Sequence, residues 1–144
     1  MPALFYDRGA KMTINRALEL IGQTHPSQYD RDTLIGWLSD LDKKAYEFQL
    51  NHEGEWAIDF GGYTESTSGD TEMLIPSPYD EIYPFYLDMK VSLSDRDYAF
   101  YNNSAVLFEQ AWKNYTYHVN RTHKPIVKDR IFKFKGDRDV YTGE

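Results

Sequence analysis

The chain has 144 residues, 27 % of them charged, and a formal charge of -7, the make-up of one domain with its own core rather than of two. It holds no run of about 18 apolar residues that could span a bilayer, so no membrane partner is expected. It has no cysteine, which excludes disulfides, thiol catalysis and zinc-thiolate sites together.

Residues 1–11 show no period and read as an N-terminal arm. They lack the apolar core and cleavage site of a secretory signal, so the protein is expected to stay where it is made. Thr13 is a plausible cap for a short first helix, with Ile14, Ala17, Leu18 and Ile21 on one face and Gly22 where the helix would end. Residues 23–29, with His25-Pro26-Ser27, read as a loop because proline biases its predecessor away from helix. A second helix opens at Asp30, carries Asp32 in its first turn, and runs on the stripe Leu34, Leu38, Leu41, Ala45, Phe48. Ile35 and Trp37 widen that face.

Beyond Gly54 the period changes to two. Residues 55–60 alternate, Gly61-Gly62 interrupts, and 71–75 resume an extended pattern, which predicts a β-hairpin arm at about 55–75 with a polar tip. A lone hairpin is marginal in water and needs a surface to lie on. Ser77-Pro78 followed by Asp80 and Glu81 predicts a third helix from Pro78, with Pro84 kinking it near Tyr83 and a stripe of Ile82, Tyr86, Met89 and Leu93. A fourth helix is expected from about Asp97 to Asn120, with Ala105, Phe108, Trp112, Tyr115 and Val119 on one face. That face has to be buried, in part against the second helix and in part against copies of the chain. The fold expected is mainly α, a small bundle of about four helices spanning 12–123 with a hairpin arm and an extended C-terminal tail.

The tail differs from the body in charge. Residues 121–144 hold seven Lys and Arg against four acids, a net of +3 that leaves -10 for residues 1–120. Its segment Ile131-Phe132-Lys133-Phe134-Lys135 alternates at period two, like a strand without a partner nearby in sequence. Such an arm, 124–144, can join a neighbour's sheet edge or lie in a groove. A frayed end is the alternative reading.

Little in the chain points to chemistry. No phosphate loop, nucleophile elbow or helical zinc motif is present. His25, His52, His118 and His123 show no ligand spacing, so no metal or cofactor is expected. Acid pairs at Asp30/Asp32, Asp40/Asp42 and Asp80/Glu81 are explained by helix starts and solvated faces, so catalytic residues are not expected either. Three Asn-x-Ser/Thr triplets are coincidence without a secretory route. The basic, Phe-bearing tail has the make-up of a single-strand grip, against which the acidic body argues. The outlier is the aromatic share, 16 % with 12 tyrosines, the residue type that suits surfaces wet at one time and buried at another.

Several segments carry a resemblance: Met12-Thr13-Ile14, the Trp37 to Asp42 run, Gly62-Tyr63-Thr64, Leu74 to Tyr83, Tyr101-Asn102-Asn103-Ser104, and Tyr117 to His123. Together they resemble head-to-tail connector, or adaptor, proteins of tailed bacteriophages over roughly Met12 to Pro125. The resemblance implies a virion structural protein of the neck, made in the host cytoplasm and without enzymatic activity. It would form a ring, commonly a dodecamer, below the portal protein, with DNA passing through the lumen without sequence-specific binding. Arms would bind neighbouring copies, the portal or other neck proteins. A tail-completion or head-closure protein is the nearest alternative, and a small prophage nucleic-acid-binding or regulatory protein is the alternative of another class. The interface residues expected are Trp56, Phe60 and Tyr63 in the arm and Lys128, Arg130, Phe132, Phe134 and Lys135 in the tail.

Overall fold

The computed structural model describes residues 10–25, 29–57 and 59–126. Within them the order is β1 (Lys11–Thr13), α1 (Ile14–Thr24), α2 (Arg31–Leu50), β2 (Glu72–Pro76), a 3-10 turn (Tyr79–Glu81), α3 (Ile82–Ser94) and α4 (Tyr98–Thr122). The fold is mainly α, with four helices and one two-stranded antiparallel sheet among the described residues. Residues 1–9 and 127–144, which hold most of the two expected arms, lie outside them.

Three helices start on side-chain caps. The Thr13 hydroxyl accepts from Arg16 N at 3.1 Å, Asp30 from Thr33 N at 2.9 Å, and Asp97 from Phe100 N at 3.2 Å. Each satisfies one amide that the first helical turn leaves without a partner. At α1 the helix runs through Gly22 to Thr24, and the His25 N–H closes it on Ile21 O at 2.8 Å.

The third helix corrects two expectations. Pro78 opens no α-helix: no side chain caps the 3-10 turn that follows it, and α3 begins at Ile82. Pro84 therefore falls in the first turn of α3, where its missing N–H has no helical acceptor to lose. The helix runs unbroken to Ser94. It buries Ile82, Tyr83, Tyr86, Leu87 and Val91, around much of its circumference, and leaves Leu93 at the surface. A helix apolar on most sides is a central one, and α3 packs against α1, α2 and α4. Leu34, Leu38 and Leu41 of α2 are buried in this core as expected.

The sheet also corrects the reading. The extended segment at 71–75 is β2, but its partner is β1, paired antiparallel with Lys11 opposite Pro76 and Thr13 opposite Glu72. Ile14 N to Thr71 O at 3.1 Å and Asn15 N to Gly69 O at 2.9 Å continue the pairing into α1. The described residues of 55–60 lie outside the sheet. Their aromatic side chains pack on the helices, and Gly62, at φ 111°, turns the chain inward instead of across a hairpin. A β-carbon on Gly69 would come within 2.1 Å of the Asn15 side chain, which would have to turn aside to admit it.

Helices α3 and α4 form an antiparallel hairpin closed by a Schellman motif. Asp97 N bonds Ser92 O at 2.9 Å and Arg96 N bonds Leu93 O at 3.1 Å. Arg96 occupies the left-handed position at φ 62°, where a β-carbon is strained and glycine is usual. Arg96→Gly is expected to raise stability by about 0.5–1 kcal/mol in urea denaturation. An unchanged or lower midpoint would show that the arginine side chain offsets that strain.

Candidate functional site

The one acidic residue that the periodicity places against the core is Asp42, four residues after Leu38 and three before Ala45. It is 0 % exposed. Its Oδ2 accepts from Tyr63 OH at 2.5 Å and from Leu74 N at 3.2 Å, and its Oδ1 accepts from Tyr83 OH at 2.7 Å. The Tyr83 hydroxyl in turn accepts from Ile75 N at 2.8 Å, and Tyr63 N donates to Ser39 Oγ at 2.9 Å. One carboxyl thus joins α2, the 51–71 connection, β2 and α3. Burial pushes the Asp42 carboxyl up, and the donors from Tyr63, Tyr83 and Leu74 pull against that rise. Both phenols are pushed up in turn, by burial first and then by the carboxylate beside them. Sealed from solvent, the cluster cannot meet a substrate and acts as a structural knot.

This placement corrects two readings. Asp42 does not belong to a solvated face, since three donors bring it inside. Tyr63, expected at an interface, is buried with its hydroxyl on Asp42. Phe60 stacks edge-on against Tyr63 with ring centroids 4.8 Å apart, and Trp56 stacks on His123 at 3.9 Å. Both are partly buried against the core, so the three aromatics fasten the 51–71 connection to the domain. Lys128, Arg130, Phe132, Phe134 and Lys135 lie outside the described residues.

A second polar cluster joins the ends of α2 and α4. Gln49 Nε2 donates to Tyr115 OH at 2.9 Å, and the His52 ring nitrogens lie 2.9 Å from Phe48 O and 2.7 Å from Asn120 Oδ1. His52 also bridges Pro125 in β fashion, with Glu53 N to Lys124 O at 2.8 Å and Ile126 N to Asn51 O at 2.9 Å. The first residues of the tail are therefore folded back on the end of α2. Each histidine packs on an aromatic ring, His25 on Phe100, His52 on Phe48, His118 on Tyr79 and His123 on Trp56. No group of three His, Asp or Glu among the described residues is arranged to hold a metal, and no described helix is long and apolar enough to cross a membrane.

The surface of α4 is different in kind. Only Ser104, Ala111, Tyr115 and Val119 of its 25 residues are buried. Of the expected face, Tyr115 and Val119 are buried and Phe108 and Trp112 are partly buried against the core, while the small Ser104 and Ala111 extend the buried face to one side. Tyr98, Val106, Leu107 and Tyr117 are 58, 55, 44 and 53 % exposed. Beside them Phe108, Glu109, Trp112, Lys113, Thr116 and Tyr117 line an open groove of about 430 Å³. Trp112 meets α2 through an edge-on contact with Phe48 at 5.9 Å.

Compared with known proteins, the chain matches no family model, no curated protein and no solved structure.

Asp42→Ala leaves two phenols and one amide without an acceptor, and is expected to lower stability by about 3–5 kcal/mol in urea denaturation. Tyr83→Phe strands the Ile75 amide, at about 1–3 kcal/mol. A loss below about 0.5 kcal/mol in both would contradict the knot. Burial holds Tyr63, Tyr83 and Tyr115 neutral, with Tyr115 pushed up to about 12 from the ordinary 10.0. The folded state prefers each phenol protonated, so this contribution is complete below pH 10 and is lost as pH rises through the folded values. In a phenolate absorbance titration these three are expected to ionise only together with unfolding. Smooth ionisation of all 12 tyrosines near their ordinary value would contradict their burial.

Proposed function

We propose that this chain is a structural adaptor of the neck of a tailed-bacteriophage virion, a ring-forming protein that docks on the portal and does no catalysis. The observation that carries the reading is the outer face of α4. It holds Val106 and Leu107 in the open on the longest helix, with the exposed Tyr98 about 12 Å before and Tyr117 about 15 Å beyond them along the same helix. Exposed apolar side chains clustered on one element mark a surface that meets another protein.

Three further features support it. The buried acid is sealed within the core, and the described histidines lean on aromatic rings rather than on one another, which suits a binding protein better than an enzyme. The segments that carry the resemblance to connector proteins include the run from β2 through the 3-10 turn into α3, around the Asp42 knot, and the start of α4. The acidic body, at -10 against +3 for the tail, suits the wall of a channel through which DNA moves, since cationic walls would hold its phosphates. A cyclic ring joins one patch to a different patch on the next copy, and the α4 face serves as one of the two.

Light scattering on the protein mixed with the portal protein of the same genome tests the proposal. The expected result is a stoichiometric complex that Val106→Asp with Leu107→Asp weakens by about tenfold or more, while the monomer's stability stays within about 0.5 kcal/mol. Absence of any portal complex would overturn it. Binding to a tail protein would then favour tail completion or head closure, and salt-dependent retention on DNA would favour a prophage nucleic-acid binder.

A further inference from the structure

The α4 groove and the chain's own tail fit each other, and we infer that Phe132 and Phe134 cover this groove within the same molecule. The inference concerns the free chain and stands apart from the adaptor reading. The tail starts at the right place: Pro125 bridges His52, whose ring lies 2.7 Å from Asn120 on α4 and 4.5 Å from Phe48, which itself touches Trp112. Asn120 is also in register with the groove. It follows Glu109, Lys113 and Thr116 at helical spacing, so the tail is anchored at the C-terminal end of the row that lines one side.

The reach is sufficient. From Asn120 back to Trp112 is about 12 Å along the helix, and the six residues from Ile126 to Phe132 span up to about 20 Å when extended. The spacing matches as well. Alternation in 131–135 puts Phe132 and Phe134 on one side of an extended segment, about 6.7 Å apart. Successive rungs of the groove, Phe108 to Trp112 to Thr116, are four residues or about 6 Å apart. Two phenylalanines therefore drop between successive rungs, while Lys133 and Lys135 turn to water. Of the two charges in the groove, Glu109 attracts the basic tail and Lys113 opposes it. The tail's net +3 against -10 for residues 1–120 favours docking on the body as a whole.

Hydrogen exchange on the full-length chain tests the inference. Amides of 108–117 are expected to exchange at least about threefold faster in Phe132→Asp with Phe134→Asp than in the natural chain. Lys133→Ala with Lys135→Ala should leave the protection largely in place, because those side chains face away from the helix. The difference should persist over an about twentyfold dilution, as an intramolecular contact requires. A peptide of residues 127–144 added to the double Asp variant chain should restore protection. Equal exchange in the natural chain and the double Asp variant would overturn the proposal. So would protection that disappears on dilution as the mass falls from dimer to monomer, which would make a second copy the occupant. Both outcomes are read on the protein alone, so they are separate from success or failure of portal binding.

Discussion

A carboxyl group with no access to water is tolerable only when its oxygens are supplied with donors, and that requirement organises this chain. Asp42 draws Tyr63 in from the 51–71 connection, Tyr83 from α3 and the Leu74 amide from β2. β1 then pairs with β2, and α1 follows directly from β1. Three separate parts of the chain are thereby tied to α2 by one side chain. The knot also accounts for the tyrosine-rich composition in part: a phenol delivers a donor across the width of a helix while burying an apolar ring.

The interior and the surface divide the work. Helices α1, α2 and α3 close around the core, whereas α4 is packed along one face, on Ser104, Ala111, Tyr115 and Val119, and turns most of its other residues outward. A long helix held by one edge makes a rigid rail on which apolar side chains can be displayed at fixed spacing. The fastening of His52 to Asn120 and of Trp56 to His123 ties the C-terminal end of that helix to the 51–71 connection that follows α2. The tail leaves from the same corner. The exposed face of α4 and the start of the tail at Lys124–Ile126 therefore belong to one packed unit.

Local signals were legible where the physics is local. Thr13, Asp30 and Asp97 announce helix starts because a cap acts over three residues, and the leucines of α2 announce a buried stripe because helical spacing does. The 3-10 turn and the unbroken α3 were not legible. Pro78 and Pro84 each allow two positions relative to a helix start, and only the tertiary context chooses between them. The pairing of β1 with β2 joins residues about sixty apart in sequence, and a three-residue strand carries too little pattern to declare a distant partner. Asp42 was half legible: its place on the Leu38 and Ala45 stripe was visible, but the donors that make burial tolerable come from Tyr63, Leu74 and Tyr83, and nothing local names them. Tyr63 was misjudged for the same reason, since an aromatic beside a glycine pair reads equally as surface or as anchor until its hydroxyl is traced to a partner. The groove on α4 was not legible, because Phe108 and Trp112 lie on the expected buried stripe and only the packing shows that they are covered in part.

The most direct measurement is native-state hydrogen exchange at the Leu74 and Ile75 amides, the two backbone donors held by the knot, followed against low concentrations of urea. If the carboxyl organises the whole fold, both amides exchange only through global unfolding, with the same free energy and urea dependence as the amides at the centre of α3. Exchange through a small local opening, with weak urea dependence and a lower free energy than the α3 core, would show that the fold holds without the knot and would contradict the account.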